Sequence, residues 1–231
     1  MSRGEYIPNV ATKLLLHLNG NSNDASGNGN NGTDTGIFYS QADGKFNQGA
    51  NFNATTDKIL IANESNFDFE RTQPFTISCW IKLNTNNALR FIVAKQVAGG
   101  NYTGIAFWYN TNAVDYWRFC LELVSTPTNL ISSAVNIVPV VGKWYNIIGT
   151  YSGNSNINGV NIYVNGSPGT IVNSGNSLTG SILNNTQVEI GNRNGAFNFN
   201  GSIDEVIIEN REWTAKEVKK YYTNATKPTI V

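Results

Sequence analysis

Two strand-like runs in the middle of the chain combine aromatic with charged side chains. Aromatic rings stack on the C–H faces of sugar rings while nearby polar groups fix the hydroxyls, so these residue types suit glycan binding. Because side chains alternate along a strand, Tyr116, Arg118 and Glu122 share one face. We predict that this face is exposed or lines the concave side of the sandwich, and that it binds a ligand. The predicted ligand-binding residues are Trp108, Tyr116, Arg118 and Glu122.

Two alternatives to this site remain open. Tryptophans of a β-sandwich lie in the core more often than on a ligand platform. Loops on a rigid sheet also commonly carry binding sites. The alternative site therefore consists of the predicted loop tips at residues 84–88, 96–101, 110–114 and 192–200.

Few residues in this sequence could act as catalytic nucleophiles or as zinc ligands. One histidine and two cysteines are too few for an ordinary His/Cys zinc site. A Ser-His-Asp catalytic triad would have to use His17. The Gly-x-Ser-x-Gly motif of a nucleophile elbow does not occur in the sequence, so we interpret His17 as a packed side chain. Alternation places Cys79 on an apolar face and Cys120 on a polar one, which favours two reduced thiols.

The composition excludes several classes of partner. Sixteen Lys and Arg residues balance 16 Asp and Glu residues, so the net charge is zero. Nucleic-acid binding and polybasic membrane association both need an excess of basic residues. No stretch approaches the ~18 apolar residues that span a bilayer. We therefore expect neither a nucleic-acid partner nor membrane insertion.

The elements that must position these residues are many short strands. About 36 asparagines and 22 glycines are turn formers, and they separate roughly thirteen strand-like runs. Residues 75–82 alternate, with apolar side chains at every odd position, and Asn165-Gly166 predicts a hairpin with a primed turn. Only residues 214–223 predict a helix. Thr214 is the predicted N-cap, and Glu217 lies three residues after it, as in a capping box. So many strands require two packed sheets.

Several segments, taken in order, resemble the laminin-G-like domains of the concanavalin A-like lectin/glucanase superfamily. They are residues 14–20 (LLLHLNG), 23–33 (NDASGNGNNGT), 75–82 (FTISCWIK), 143–145 (KWY), 149–151 (GTY), 161–166 (NIYVNG), 201–206 (GSIDEV) and 214–218 (TAKEV). The resemblance implies an all-β jelly-roll sandwich of two antiparallel sheets with one short C-terminal helix. It divides the chain into an N-terminal arm (1–11), the jelly roll (12–223) and a tail (224–231).

The resemblance also implies a metal and argues against an enzyme. In related folds the Asp of Gly-x-Ile-Asp-Glu-Val often binds a structural calcium, which points to Asp204, with Asn19 and Asp24 as further oxygen donors. Glycosidases of the superfamily carry Glu-x-Asp-x-x-Glu on one strand. No acidic cluster fits that pattern, and Glu122 and Glu189 each stand alone in the sequence.

The opening Leu-Leu-Leu-His, without a signal sequence before it, is similar to bacteriophage and prophage structural proteins. We therefore expect a non-catalytic carbohydrate-binding or adhesion module of a phage virion (a decoration, fibre or tail component), or otherwise an extracellular protein without a classical signal peptide. Its partners would be a cell-surface glycan and other virion or assembly subunits.

The alternative is a purely structural virion protein that makes protein contacts without glycan binding, and a glycoside hydrolase is the least favoured function. The arm at residues 1–11 either docks on a neighbouring subunit or packs along its own sheet, and the sequence leaves both open.

Overall fold

The structure is a computed structural model that describes residues 4–110 and 118–227. Within these residues the chain forms sixteen strands and one α-helix, α1 (Ala215–Thr226). The strands are β1 (Thr12–Leu16), β2 (Gly32–Thr35), β3 (Phe38–Ser40), β4 (Gly49–Phe52), β5 (Lys58–Ile61), β6 (Phe75–Leu83), β7 (Arg90–Gln96), β8 (Gly104–Asn110), β9 (Arg118–Thr126), β10 (Asn129–Asn136), β11 (Trp144–Tyr151), β12 (Val160–Val164), β13 (Ser167–Pro168), β14 (Ile171–Ser174), β15 (Glu189–Ile190) and β16 (Gly201–Glu209). Short 3-10 helices lie at Gln41–Asp43, Glu64–Phe67 and Ile157–Gly159.

The strands form two eight-stranded antiparallel sheets, which confirms the predicted all-β sandwich. The first sheet has the order β13-β12-β11-β6-β16-β4-β3, with β1 also paired to β16. The second sheet has the order β14-β10-β9-β8-β7-β15-β5-β2. Among the described residues, no helix is long and apolar enough to span a membrane.

Strand β16 changes partner halfway along its length. Residues 201–203 pair with β4, whereas residues 206–209 pair with β1. Asp204 and Glu205 lie between these two segments, the register with β6 shifts there, and Glu205 has a left-handed φ of 51°. The Ile-Asp-Glu-Val motif is therefore a β-bulge at the junction of two partner strands.

The central strands β6, β11 and β16 of the first sheet are buried on both faces. In β6, the odd-numbered side chains Phe75, Ile77, Cys79 and Ile81 lie in the core between the sheets, as their alternation predicts. On the other face, Trp80 is only 1% exposed because Phe46 and helix α1 cover it. Cys79 and Cys120 are buried and free.

Local sequence signals place the helix and the hairpin as predicted. Thr214 Oγ1 accepts a hydrogen bond from Glu217 N, and Glu217 Oε2 accepts one from Thr214 N, which completes the predicted capping box. The helix continues to Thr226, three residues beyond its predicted end, so the predicted tail begins inside it. Asn165 and Gly166 both have positive φ, and a Cβ on Gly166 would lie 2.7 Å from Tyr222.

The described part of the N-terminal arm packs on the chain's own first sheet, which is one of the two arrangements that the sequence left open. The Tyr6 ring stacks on Trp213, with 5.4 Å between ring centroids. Tyr6 N donates to Glu205 Oε2 at 2.8 Å, and Tyr6 Oη donates to Glu209 Oε1 at 2.7 Å. Two buried carboxylates of β16 therefore hold the arm in place.

A substitution in the arm tests this packing. We expect Tyr6→Ala to lower the free energy of unfolding by about 1–3 kcal/mol, because it removes a half-buried ring and its two hydroxyl hydrogen bonds, to Glu209 and from Asn9. Ile7→Ala is the matched control: Ile7 is 71% exposed, so the expected change is within about 0.5 kcal/mol. Urea denaturation measures both, and equal effects would contradict the observed packing of the arm.

Candidate functional site

The outer faces of the two sheets differ. Helix α1 and the arm cover the first sheet, whereas no helix within residues 4–110 and 118–227 covers the second. By strand register, one row of side chains crosses the second sheet's outer face. It consists of Glu189 on β15, Ala94 on β7, Ala106 on β8, Glu122 on β9 and Ser132 on β10.

This row contains two glutamates that stand alone in the sequence. Glu122 and Glu189 are three strand spacings apart, or about 14 Å between their Cα atoms. Ala94 and Ala106 between them are buried and pack with Phe91 in one apolar cluster. The neighbouring row contains Phe91, Trp108 and Cys120.

Arg193 lies over this face and connects its apolar and polar parts. Its guanidinium carbon is 4.2 Å from the ring centroid of Phe91, 5.1 Å from that of Tyr102 and 5.4 Å from that of Phe197. Arg193 Nη1 donates to Gln96 Oε1 at 2.8 Å. The cation is therefore held by three aromatic rings and one amide.

A hydrogen-bond chain extends from Arg193 to the predicted site residue Glu122. Gln96 Nε2 donates to Glu122 Oε1 at 3.2 Å. Burial raises the pKa of the Glu122 carboxyl, although the Gln96 hydrogen bond and the charge of Arg193 partly oppose this shift. Burial likewise lowers the pKa of Arg193. Glu189 Oε2 accepts from Asn194 N at 2.9 Å, which ties the Arg193 loop to the same row.

Two exposed aromatic rings lie beside Arg193. Tyr102 is 39% exposed and Phe197 is 45% exposed, so both rings offer a face to a ligand. Trp108 is half-buried and packs with the cluster around Phe91, so less of its ring is accessible. We call Phe91, Gln96, Tyr102, Trp108, Glu122, Arg193 and Phe197 the outer-face cluster.

The structure unites the two sites that the sequence kept apart. Trp108 and Glu122 come from the predicted strands, and Arg193 and Phe197 come from the predicted loop at residues 192–200. The backbone of Arg118 pairs with Asn110 and Asn136. Tyr116 lies outside the described residues. Ligand binding by the four predicted residues stays a prediction, and sequence reasoning named Tyr102 and Arg193 in no specific role.

Asp204 has one of the properties expected of a cation ligand. Its side chain is fully buried, and Oδ2 accepts from Lys45 N at 2.7 Å and Phe46 N at 2.9 Å. Its Oδ1 is buried and, among the described residues, has no hydrogen-bond partner. Burial and the charge of Glu205 raise the pKa of Asp204 to about 8, so either a proton or a cation could satisfy this oxygen.

The oxygens of the other two predicted calcium ligands are already engaged. Asn19 Oδ1 accepts from Gln48 N at 3.1 Å. Both Asp24 carboxylate oxygens accept hydrogen bonds, from Leu15 N, Ser26 and Asn30 N, which organises the turn after β1. Asp204 alone therefore fits a calcium site as it stands, and calcium stays a prediction.

His17 is not simply packed in an apolar strand, as the sequence suggested. Strand β1 ends at Leu16, and half-buried His17 follows it with Nδ1 hydrogen-bonded to Glu205 Oε1. This bond raises the pKa of His17, although burial opposes the shift. The partner is 188 positions away in the sequence, so no local pattern indicates it.

Comparison with solved structures finds the same fold in binding domains. The binding domain of Paraclostridial Mosquitocidal Protein 1 matches with a TM-score of 0.71 and 17% identity, over 92% of this chain and 52% of that one. The botulinum neurotoxin serotype C1 binding domain matches with a TM-score of 0.68 and 16% identity, over 94% and 52%. The chain thus spans about half the length of these two domains.

A third similar structure is nearly the same length as this chain. Domain 4 of AbnA, a GH43 extracellular arabinanase from Geobacillus stearothermophilus, was solved in complex with arabinotriose. It matches with a TM-score of 0.64 and 16% identity, over 91% of this chain and 98% of that one. A search of curated protein sequences found no match. At such identities the structural likeness shows the fold alone.

The family is shown by the sequence itself. A family profile described as the concanavalin A-like lectin/glucanases superfamily matches residues 53–219, which is well over half of the chain. The matched region runs from the end of β4 into helix α1 and includes every residue of the outer-face cluster. The chain therefore belongs to the concanavalin A-like lectin/glucanase superfamily.

Proposed function

We propose that the chain is a non-catalytic carbohydrate-binding module that holds its ligand on the outer face of the second sheet. The observation that carries this proposal is the outer-face cluster, in which exposed Tyr102 and Phe197 flank the Arg193 guanidinium. Aromatic faces beside fixed polar groups are the arrangement that sugar rings require.

Proteins with similar structures support a glycan as the ligand class. The AbnA domain was solved with arabinotriose, and cell entry of botulinum neurotoxin type C is described as dependent on two ganglioside molecules. In this chain the exposed rings of Tyr102 and Phe197 would stack on a sugar ring, and half-buried Glu122 would accept a hydrogen bond from a hydroxyl.

A glycan array with the purified chain tests this function. We expect a reproducible hit, and at least tenfold weaker binding (about 1.4 kcal/mol) for Tyr102→Ala, Phe197→Ala and Trp108→Ala, since each removes a stacking surface. Val140→Ala is the matched control, because Val140 is 50% exposed but lies outside the cluster, and it should bind like the wild type.

Two results would contradict the proposal in different ways. A blank array, or a hit that survives all three aromatic substitutions, would exclude this site. Release of reducing ends from a bound glycan would contradict the non-catalytic part of the proposal.

Protein contact is a second candidate function, favoured by one surface feature. Val138, Val140 and Val141 are all exposed in the loop between β10 and β11. Neighbouring exposed apolar residues often mark protein interaction sites. A botulinum neurotoxin DC binding domain of similar fold was solved with rat synaptotagmin II, a protein. A blank array with concentration-dependent self-association would favour this function.

We also propose, on the resemblance of the opening residues to phage and prophage structural proteins, that the module belongs to a virion as a decoration, fibre or tail component. Its partners would then include other virion subunits. Co-purification of the chain with intact particles tests this placement, and its absence from purified particles would contradict it.

A structural calcium at Asp204 is the last part of the proposal. Its support is the buried Oδ1, which has no hydrogen-bond donor within residues 4–110 and 118–227. Calcium would supply the positive charge that this carboxylate lacks, and it would stabilise the junction of β16 with β4.

The melting temperature of the purified chain, measured with and without calcium, tests this site. We expect added Ca²⁺ to raise the melting temperature of the wild type by a few degrees, about 2–4 °C per kcal/mol, and a chelator to reverse it. Asp204→Asn keeps an acceptor for the Lys45 and Phe46 amides but should remove the calcium response. No shift in the wild type would exclude the site.

A further inference from the structure

Three potential metal ligands from three separate segments meet at the bulge in β16. Glu5 comes from the arm, His17 follows β1, and Glu205 is the left-handed residue of the bulge. Their ligand atoms all lie within 4.8 Å of one another. Neither the family match nor the similar structures point to this group.

We propose that Glu5, His17 and Glu205 bind a divalent transition-metal ion of the Zn²⁺ type. One imidazole nitrogen with two carboxylate oxygens suits zinc, whereas calcium takes oxygen ligands. Three protein ligands leave a fourth tetrahedral position for water. This site is separate from the proposed calcium site, which uses Asp204 and only oxygen ligands.

The charge balance at the bulge favours a cation. Glu205 is fully buried and has the like charge of Glu5 beside it. The adjoining Asp204 is also fully buried, and its Oδ1 has no hydrogen-bond partner among the described residues. Buried carboxylates are normally paired or coordinate a metal. Here His17 pairs with Glu205 through Nδ1, and it contributes a positive charge when it is protonated.

The neighbouring contacts orient the ligands and leave a route for the ion. Asn19 Nδ2 donates to Glu5 Oε1 at 2.8 Å, and Tyr6 N donates to Glu205 Oε2 at 2.8 Å, so each carboxylate is positioned by a further group. Glu5 also lines a cavity of about 570 Å³ between the arm and helix α1. The ion would enter through this cavity and meet Glu5 first, because Glu5 is the proposed ligand that lines it.

Metal binding would clamp the arm to β16. The proton between His17 Nδ1 and Glu205 Oε1 would leave to solvent as the metal takes its place. Because Glu5 belongs to the arm, the ion would join the arm to the bulge and to the end of β1. The Tyr6 amide, which already donates to Glu205, would then exchange more slowly.

Zinc titration of the full, chelator-treated chain tests the site. We expect one Zn²⁺ per chain by calorimetry, and a melting temperature higher by about 5–10 °C at 100 times Kd. Hydrogen exchange of the Tyr6 amide should slow on zinc addition. Glu5→Gln and His17→Gln should each weaken binding at least tenfold and remove the effect on Tyr6 exchange.

The controls separate this site from general carboxylate binding and from the calcium site. Glu70→Gln changes a half-buried carboxylate away from the cluster and should leave zinc affinity unchanged. Glu5 is half-buried, so Glu5→Gln tests the site even if His17→Gln fails to fold. Absence of zinc binding, zinc binding that survives Glu5→Gln, or a melting temperature that responds only to Ca²⁺ would overturn the proposal.

Discussion

The bulge at Asp204 and Glu205 is the constraint on which the first sheet depends. At this point β16 leaves β4 and begins to pair with β1, and the two carboxylates occupy the gap. Asp204 accepts the backbone N–H groups of Lys45 and Phe46, which precede β4. Glu205 accepts the N–H of Tyr6, which precedes β1. Each acid therefore binds the segment that leads into one of the two partner strands.

The cost of this arrangement is buried negative charge. A carboxylate removed from water is unfavourable unless it is paired, hydrogen-bonded or bound to a metal. Backbone N–H groups and His17 form hydrogen bonds with these carboxylates, but in the part of the chain that the structure describes Asp204 Oδ1 has no donor. Both proposed metal sites follow from this single feature of the fold, although they use different residues and different chemistry.

The outer face of the second sheet is organised by apolar packing and one loop arginine rather than by buried carboxylates. On its central strands β7 and β8, buried Ala94 and Ala106 pack with the larger rings of Phe91 and Trp108. Arg193 reaches over this face from a loop and is held by aromatic rings and Gln96. The sheet therefore supplies Gln96 and Phe91, and a loop supplies the cation that they hold. Helix α1 and the arm cover the outer face of the first sheet, whereas Arg193 and its aromatic partners lie over part of the second.

Local sequence was sufficient for much of the architecture. Alternation in residues 75–82, the Asn165-Gly166 turn and the Thr214–Glu217 capping box depend on neighbours a few residues away, and all three are confirmed. The site itself depends on strand order and register. Glu122 and Glu189 share a row only because β9, β8, β7 and β15 are adjacent, and His17 meets Glu205 across 188 positions. The sequence by itself determined the family, the two-sheet sandwich and its strand faces, because side-chain periodicity and turn chemistry are local. Only the tertiary structure decided which faces are covered and which charges meet, because those contacts join residues that are far apart in the chain.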